Sequence, residues 1–376
     1  MSTFIIDTDI PAGNIVVEQV TGTEVTLRPD LRDTEGHWFY WHFRVVGAAG
    51  QTLRFRLSSP NTLTVVGPAV SLDGGWTWAW LGADACDDWS FEYAFPNTAD
   101  DVRFSMGMPY TGRQLDRFIE RLPPDRRPTV HELCTTRKGR RAEYLLLGPQ
   151  DRNPSFRVLL TARHHCCEMM ASYTLEGMLE TMLGDDTIGA WYRDHVAVLA
   201  VPFVDKDGVE DGDQGKNRRP RDHNRDYSGD SVHRETAAIR ALVPAWAAGR
   251  LDADLDLHCP WIRNEGKESI YLVGQADERI WREQCRFGDV LEGCCTGPLP
   301  YCVGDNLPFG TKWNTAKNRN EGLHAIGWGM TQPGIRLASD IEIPYAVVGS
   351  LLVTQSSARA LGHDLARALQ QYLIEG

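Results

Sequence analysis

Two histidines, two cysteines and a glutamate stand in one unbroken run, His164-His165-Cys166-Cys167-Glu168. Imidazole, thiolate and carboxylate are the side chains that bind borderline and soft metal ions. His165 and Glu168 are three residues apart. In the first turn of a helix that spacing puts an imidazole and a carboxylate on one face, where both can reach one ion. Zinc accepts that mixture, and a third ligand from elsewhere would leave its fourth position open to water. Taken alone, the spacing equally fits a glutamate that favours a helix dipole, beside two incidental histidines.

Two more segments offer partners. Asp254-Leu255-Asp256-Leu257-His258 alternates apolar and polar residues and ends on a histidine, a candidate third ligand or a core histidine with a backbone partner. Cys166 or Cys259 could replace a histidine by softness, although their spacing to Glu168 and His258 is less natural. In Asp340-Ile341-Glu342-Ile343, a carboxylate between two isoleucines must find a cation, a donor or a water cavity, unless it faces outward from an edge strand. Near a metal it would serve as a general base. A third stretch, Lys216 to Tyr227, gathers Lys216, Arg218, Arg219, Arg221 and Arg225 behind the acidic patch Asp205 to Asp213. It reads either as a self-neutralising loop or as an anion clamp, in which guanidinium forks and an adjacent asparagine hold a carboxylate.

The elements that must position these groups alternate. Short apolar strands are expected at 144–147, 158–161, 196–201, 254–257, 270–273 and 335–343, and helices at 114–122, 168–183, 234–248, 277–291 and 357–374. That order predicts an α/β domain with a parallel or mixed sheet, whose ligand sites gather at the carboxyl ends of strands. The first hundred residues differ. Leu53, Phe55 and Leu57 alternate with polar neighbours; Trp38 to Val46 is aromatic and β-branched; Trp76, Trp78 and Trp80 recur at period two, as do Phe91, Tyr93 and Phe95. Turn pairs punctuate these runs, so an N-terminal antiparallel β-sandwich is expected over residues 1–107, with the α/β domain over 108–376. The aromatic stripes suit a buried face better than a stacking surface.

Composition narrows the function. A net charge of -12 argues against nucleic acid or an anionic membrane as the main partner. No apolar run approaches the ~20 residues of a membrane span, and the first residues carry no basic leader. Nine cysteines without a disulfide rhythm fit a reducing cytoplasm. Cys285, Cys294, Cys295 and Cys302 lack the spacing of a structural zinc site and read as free thiols.

The pieces together resemble the zinc carboxypeptidase (funnelin) family. The residues that carry the resemblance are His165-x-x-Glu168, Pro202 with Asp207-Gly208-Val209, Arg218, Asn224-Arg225, His233-x-Glu235-Thr236, Leu257-His258 and Ile341-Glu342, in that order. Phe43-Arg44-Val45 and Pro109-Tyr110-Thr111 are similar to the cytosolic carboxypeptidase branch, which places a β-sandwich before the peptidase domain. The resemblance covers most of the chain. It implies a cytoplasmic metallocarboxypeptidase with one zinc per chain on His165, Glu168 and His258. It implies Glu342 as general base, Arg218 on the oxyanion, and Arg218, Asn224 and Arg225 as the clamp on peptide or protein C-terminal tails. Because the loop between Gly208 and Asn224 is short, Arg219 and Arg221 compete with Arg218. A preference for C-terminal glutamate would fall to Lys312, Lys317 or Arg319. Cys166 and Cys167 depart from the family pattern, and oxidation there would disturb metal binding. The alternatives are a zinc-dependent deacylase of N-acyl amino acids on the same fold and a catalytically silent binder of C-terminal tails.

Overall fold

The structure is a computed structural model and describes residues 4–150, 153–263, 268–319 and 322–376. Nine short strands precede the first α-helix: β1 (Ile5–Asp7), β2 (Val16–Thr21), β3 (Glu24–Arg28), β4 (His42–Val46), β5 (Thr52–Leu57), β6 (Ala69–Ser71), β7 (Ala79–Trp80), β8 (Ser90–Ala94) and β9 (Asp101–Ser105). They form two sheets, ordered β1-β4-β9-β6-β7 and β2-β3-β5-β8. The pairing is antiparallel as expected, with one exception: β3 and β5 run parallel, Glu24 opposite Arg54. β5 shows the expected alternation, with Leu53, Phe55 and Leu57 fully buried. Phe43, Phe55, Phe91 and Phe104 pack ring on ring between the sheets, so these aromatics are core. The period-two tryptophans divide instead. Only Trp80 lies in a strand, and Trp76 sits outside it beneath the guanidinium groups of Arg113 and Arg117.

The strands β10 (Thr129–Thr135), β11 (Arg141–Leu147), β12 (Phe156–Ala162), β13 (Val196–Val201), β14 (Ala253–His258), β15 (Tyr271–Val273) and β16 (Leu337–Glu342) form a mixed seven-stranded sheet in the order β10-β11-β13-β12-β14-β16-β15. Its centre, β13-β12-β14-β16, is parallel, and the flanking strands are antiparallel. All six residues of β13, β14 and β16 are buried, as expected where helices cover both faces. The helices are α1 (Gly112–Arg121), α2 (Met169–Met182), α3 (Thr187–His195), α4 (Lys206–Asp211), α5 (Arg234–Ala247), α6 (Glu278–Cys294), α7 (Ala325–Gly329) and α8 (Gln355–Glu375). The acidic patch 205–213, expected as loop, contains α4, whose start is capped by the Asp205 side chain accepting from Gly208 N.

The two faces of the central sheet carry different chemistry. Leu160, Leu255, Leu257 and Ile341 point to the side of α2 and α8 and join the largest core cluster. One residue along, the other face carries Leu159, Leu199 and Ala338, which pack toward α5 and α7. Thr161, Asp256 and Asp340 share one register line, and His258 pairs with Glu342. Because strand side chains alternate, Asp254, Asp256 and His258 lie on that second face, with Asp340 and Glu342 beside them.

Candidate metal centre and cavity

The carboxyl edge of the parallel strands opens into a cavity of about 660 Å³ lined by His165, Glu168, His258, Asp340 and Glu342 among others. Four elements meet there. β12 ends at Ala162, and the turn that follows carries His165. Glu168 is the N-cap residue of α2. His258 and Glu342 are the last residues of β14 and β16. His165 Nδ1 lies 3.0 Å from Glu168 Oε1, and His258 Nδ1 lies 2.7 Å from Glu168 Oε2. One ligand atom from each of the three residues falls within 4.8 Å of the other two. Two imidazole nitrogens and a carboxylate, converging from two strand ends and a helix start onto a cavity, fit a zinc-type ion with room for a further ligand.

The surroundings hold these rings. His258 Nε2 lies 2.7 Å from Asp256 Oδ2, so a carboxylate on the far nitrogen leaves Nδ1 for the cavity. Asp256 also takes Thr161 Oγ1 at 2.8 Å and His164 Nδ1 at 2.9 Å, and His164 Nε2 meets the Tyr227 hydroxyl at 2.7 Å. His165 Nε2 faces Asp222 at 3.8 Å. The sequence reading gave His164, Asp256 and Asp222 no role of their own. The signal for Asp256 was present, because the period-two run Asp254-Asp256-His258 puts it on the ligand's own face.

The electrostatics follow from burial and charge. Burial opposes ionisation of Glu168, but Lys216, His165 and His258 outweigh it and hold its carboxyl well below the usual range. Burial pushes the Glu342 carboxyl up to about 7, with Glu168 and Asp340 adding to the rise and His258 and Lys216 opposing it. Glu342 Oε2 is buried and makes no hydrogen bond to the described residues. β16 is paired on both sides, to β14 and β15, so Glu342 does not sit on an edge strand. A carboxylate in the strand row, aimed into the cavity, is set to accept a proton there.

Of the clamp residues, Asn224 and Arg225 line the cavity. Asn224 is fixed by the amide of Ala325, which donates to its Oδ1 at 2.9 Å, and Arg225 Nη1 bonds the Asn224 carbonyl at 2.9 Å. The structure does not bring Arg218 to the cavity. Its guanidinium is enclosed by three carboxylates: Asp33 at 2.9 Å, Asp205 at 2.7 Å and Asp213 at 3.0 Å. The expected oxyanion and substrate role of Arg218 is therefore corrected: its donors are committed elsewhere. Neither competitor takes the place. Arg219 pairs with Glu35 at the surface, and Arg221 pairs with Asp226. Besides Arg225, the basic residue of this loop that lines the cavity is Lys216. Lys317 also lines it and Lys312 does not, while the side chain of Arg319 lies outside the described residues. Trp38, Trp261 and Trp313 form part of the wall. The expected strand from Trp38 starts only at His42, which frees Trp38 to pack on Trp261 with ring centroids 5.3 Å apart.

Cys166 and Cys167 are buried, each pushed up by burial. Cys166 Sγ donates to Asp213 O, and Cys167 Sγ lies 3.7 Å from the Tyr345 hydroxyl. Neither is in the ligand group with His165, Glu168 and His258. Among the described residues, no helix is long and apolar enough to cross a membrane.

No family model matches the chain. Cytosolic carboxypeptidase 3 of Mus musculus is 31% identical over 279 residues, 68% of this chain and 26% of that protein. Cytosolic carboxypeptidase 6 of Caenorhabditis elegans is 24% identical over 351 residues, 83% of this chain and 72% of that protein. The crystal structure of a metallo-carboxypeptidase from Burkholderia cenocepacia aligns with a TM-score of 0.80 at 20% identity, over 99% of this chain and 100% of that one. The first curated relatives are thus much longer proteins, of which this chain spans 26%.

Proposed function

We propose, from the chain's membership of the zinc carboxypeptidase family on its cytosolic carboxypeptidase-like side, that it is a zinc metallocarboxypeptidase that removes C-terminal residues from peptides or proteins. The observation that carries this reading is one cavity holding three things: the ligand group His165, Glu168 and His258, an orphaned carboxylate oxygen on Glu342, and the pair Asn224 and Arg225. A bound zinc ion supplies Lewis acidity that polarises a carbonyl and makes water acidic near neutral pH. His165, Glu168 and His258 would hold it.

The protein's own groups do the rest. Arg225 and Asn224 receive the substrate's terminal carboxylate as charge-assisted and neutral donors, and so fix which peptide bond faces Glu342. Glu342 takes the proton of the attacking water and returns it to the leaving amine nitrogen. Asp256 and Asp222 orient the two imidazoles from behind. The walls of Trp38, Trp261 and Trp313 narrow the entrance around the peptide. We also propose that the chain divides at residues 107 and 108, supported by the last strand of the small sheets ending at Ser105 and the first α-helix beginning at Gly112. A cytoplasmic location goes with the same reading.

The test is one peptide in free-acid and amidated forms, incubated with zinc-loaded protein. A carboxypeptidase releases the terminal residue of the acid and leaves the amide intact. Equal cleavage of both forms overturns the clamp. Hydrolysis confined to N-acyl amino acids points to the deacylase, and acid peptides that bind and survive point to a silent binder.

A further inference from the structure

The loop that carries Lys216 and Arg218 turns them to different places. Gly215 and Asn217 both have left-handed backbone, with φ of 76° and 51°. At Gly215 a Cβ would come 2.4 Å from the Cys166 nitrogen, so no side chain fits there. The amides of Gln214 and Gly215 bond the two Asp33 oxygens at 3.0 and 2.9 Å, and Asn217 Nδ2 bonds the Glu35 carbonyl at 2.8 Å. Thus pinned, the loop sends Arg218 into the pocket of Asp33, Asp205 and Asp213. Lys216 goes the other way. Its Nζ lies 2.6 Å from Glu168 Oε1 and 3.4 Å from the Cys259 carbonyl, and its side chain is only 14% exposed.

We propose that Lys216, and not Arg218, is the catalytic cation that stabilises the oxyanion of the scissile carbonyl. The inference rests on the peptidase reading above. Arg218 cannot leave its place without removing the cation shared by Asp33, Asp205 and Asp213, whereas Lys216 has a flexible four-carbon stem and already sits against the ligand group. A carbonyl oxygen presented to that group is within the swing of its ammonium. When water adds to the carbonyl carbon, the π pair moves onto the oxygen and the water proton passes to Glu342. The ammonium donates an N–H to the oxyanion and keeps its proton. When the C–N bond breaks, its electron pair leaves with nitrogen, Glu342 returns the proton there, and the oxyanion reforms a carboxyl group.

The experiment uses zinc-loaded full chain carrying Lys216→Met, Lys216→Arg or Arg218→Lys. It measures kcat, zinc content, Tm, and the Ki of a phosphonate peptide, which carries a tetrahedral anionic centre in place of the scissile carbonyl. Lys216→Met is expected to lose about 10²–10³ in kcat and to weaken phosphonate binding by a similar factor, with zinc retained and the affinity for the released amino acid changed less than about threefold. Lys216→Arg should recover part of both losses. Arg218→Lys should lower Tm and keep kcat within about threefold in the folded protein. The inference is overturned if Lys216→Met keeps wild-type kcat and phosphonate affinity, if it loses zinc, or if Arg218→Lys costs as much kcat at unchanged Tm. Phosphonate binding is read without turnover, so it decides the role of Lys216 even where the wild type releases no amino acid, a result that counts against the peptidase reading itself.

Discussion

Two buried charge clusters meet at the loop 213–218, and they are built on opposite plans. Around Arg218 every strong donor has a carboxylate: Asp33, Asp205 and Asp213 close on one guanidinium, and Arg32 adds a second cation to Asp213 at 2.8 Å. His165, Glu168 and His258 pair with one another, with Lys216 and with Asp256, and the open capacity lies beside them. Glu342 Oε2 and Asp205 Oδ2 are both buried without a hydrogen bond, but Asp205 Oδ2 has the Arg218 guanidinium at 2.7 Å while Glu342 faces the cavity. A cluster whose purpose is to hold the fold satisfies its members internally, since each stranded charge costs stability. One that handles substrate keeps capacity in reserve.

The contrast can be broken from either side. The largest effect is expected at the ligands: His165→Ala with His258→Ala should abolish both metal retention and turnover, and stoichiometric zinc in the double variant would remove the centre from the account. Next is Glu342→Gln, which keeps shape and removes the base. Zinc should persist while kcat falls by about 10²–10⁴, and unchanged turnover would reduce Glu342 to a strand residue. Arg225→Ala should cost about 2–5 kcal/mol in kcat/KM on a free-acid peptide and leave the variant far less sensitive to amidation. The double comparison of variant and amide reports the coupling.

The closed cluster should answer in stability and not in chemistry. Arg218→Met removes the cation shared by three acids and is expected to destabilise by about 3–5 kcal/mol in urea unfolding, with the zinc stoichiometry of the folded protein retained. The smallest effect is its pH dependence. Burial opposes ionisation of Asp205, but Arg218 and His223 hold its carboxyl well below the ordinary value. A carboxylate depressed in the folded state contributes stability that is complete above its unfolded value of about 3.9 and fades as pH falls toward the folded one. Asp213 works the other way, pushed up by burial and Asp33, and offsets part of this. Wild type should therefore lose urea resistance below about pH 4, and Asp205→Asn should flatten that limb. An acid limb as steep in Asp205→Asn as in wild type would show that other carboxylates govern it.

The same pair of clusters marks how far the sequence could be read. The candidate ligand positions could be picked out because each sits where a strand stops or a helix starts, and the apolar runs announce those boundaries. β13 is a run of six apolar residues and was readable to its ends, Val196 and Val201. Choosing between Lys216 and Arg218 was not possible from the sequence. It depends on two left-handed backbone positions and on Asp33, an acid 185 residues before Arg218 that no local pattern connects to it. Trp38 was hidden for a similar reason, since an aromatic run reads as strand until a tertiary contact with Trp261 is known. The parallel β3–β5 pair escaped because strand pattern does not specify the direction of pairing. α3 was missed because its apolar face is short, Ile188, Trp191 and Tyr192 within nine residues.

The proposed activity of the open cluster is to cut the last peptide bond of a chain. Mass spectrometry of a defined peptide mixture, incubated with wild type and with Glu342→Gln at equal zinc content, tests it directly. A carboxypeptidase removes single residues from free C-termini in the wild type, makes no internal cuts, and leaves peptides intact with Glu342→Gln. Internal cleavage, or the same products from both proteins, would contradict it.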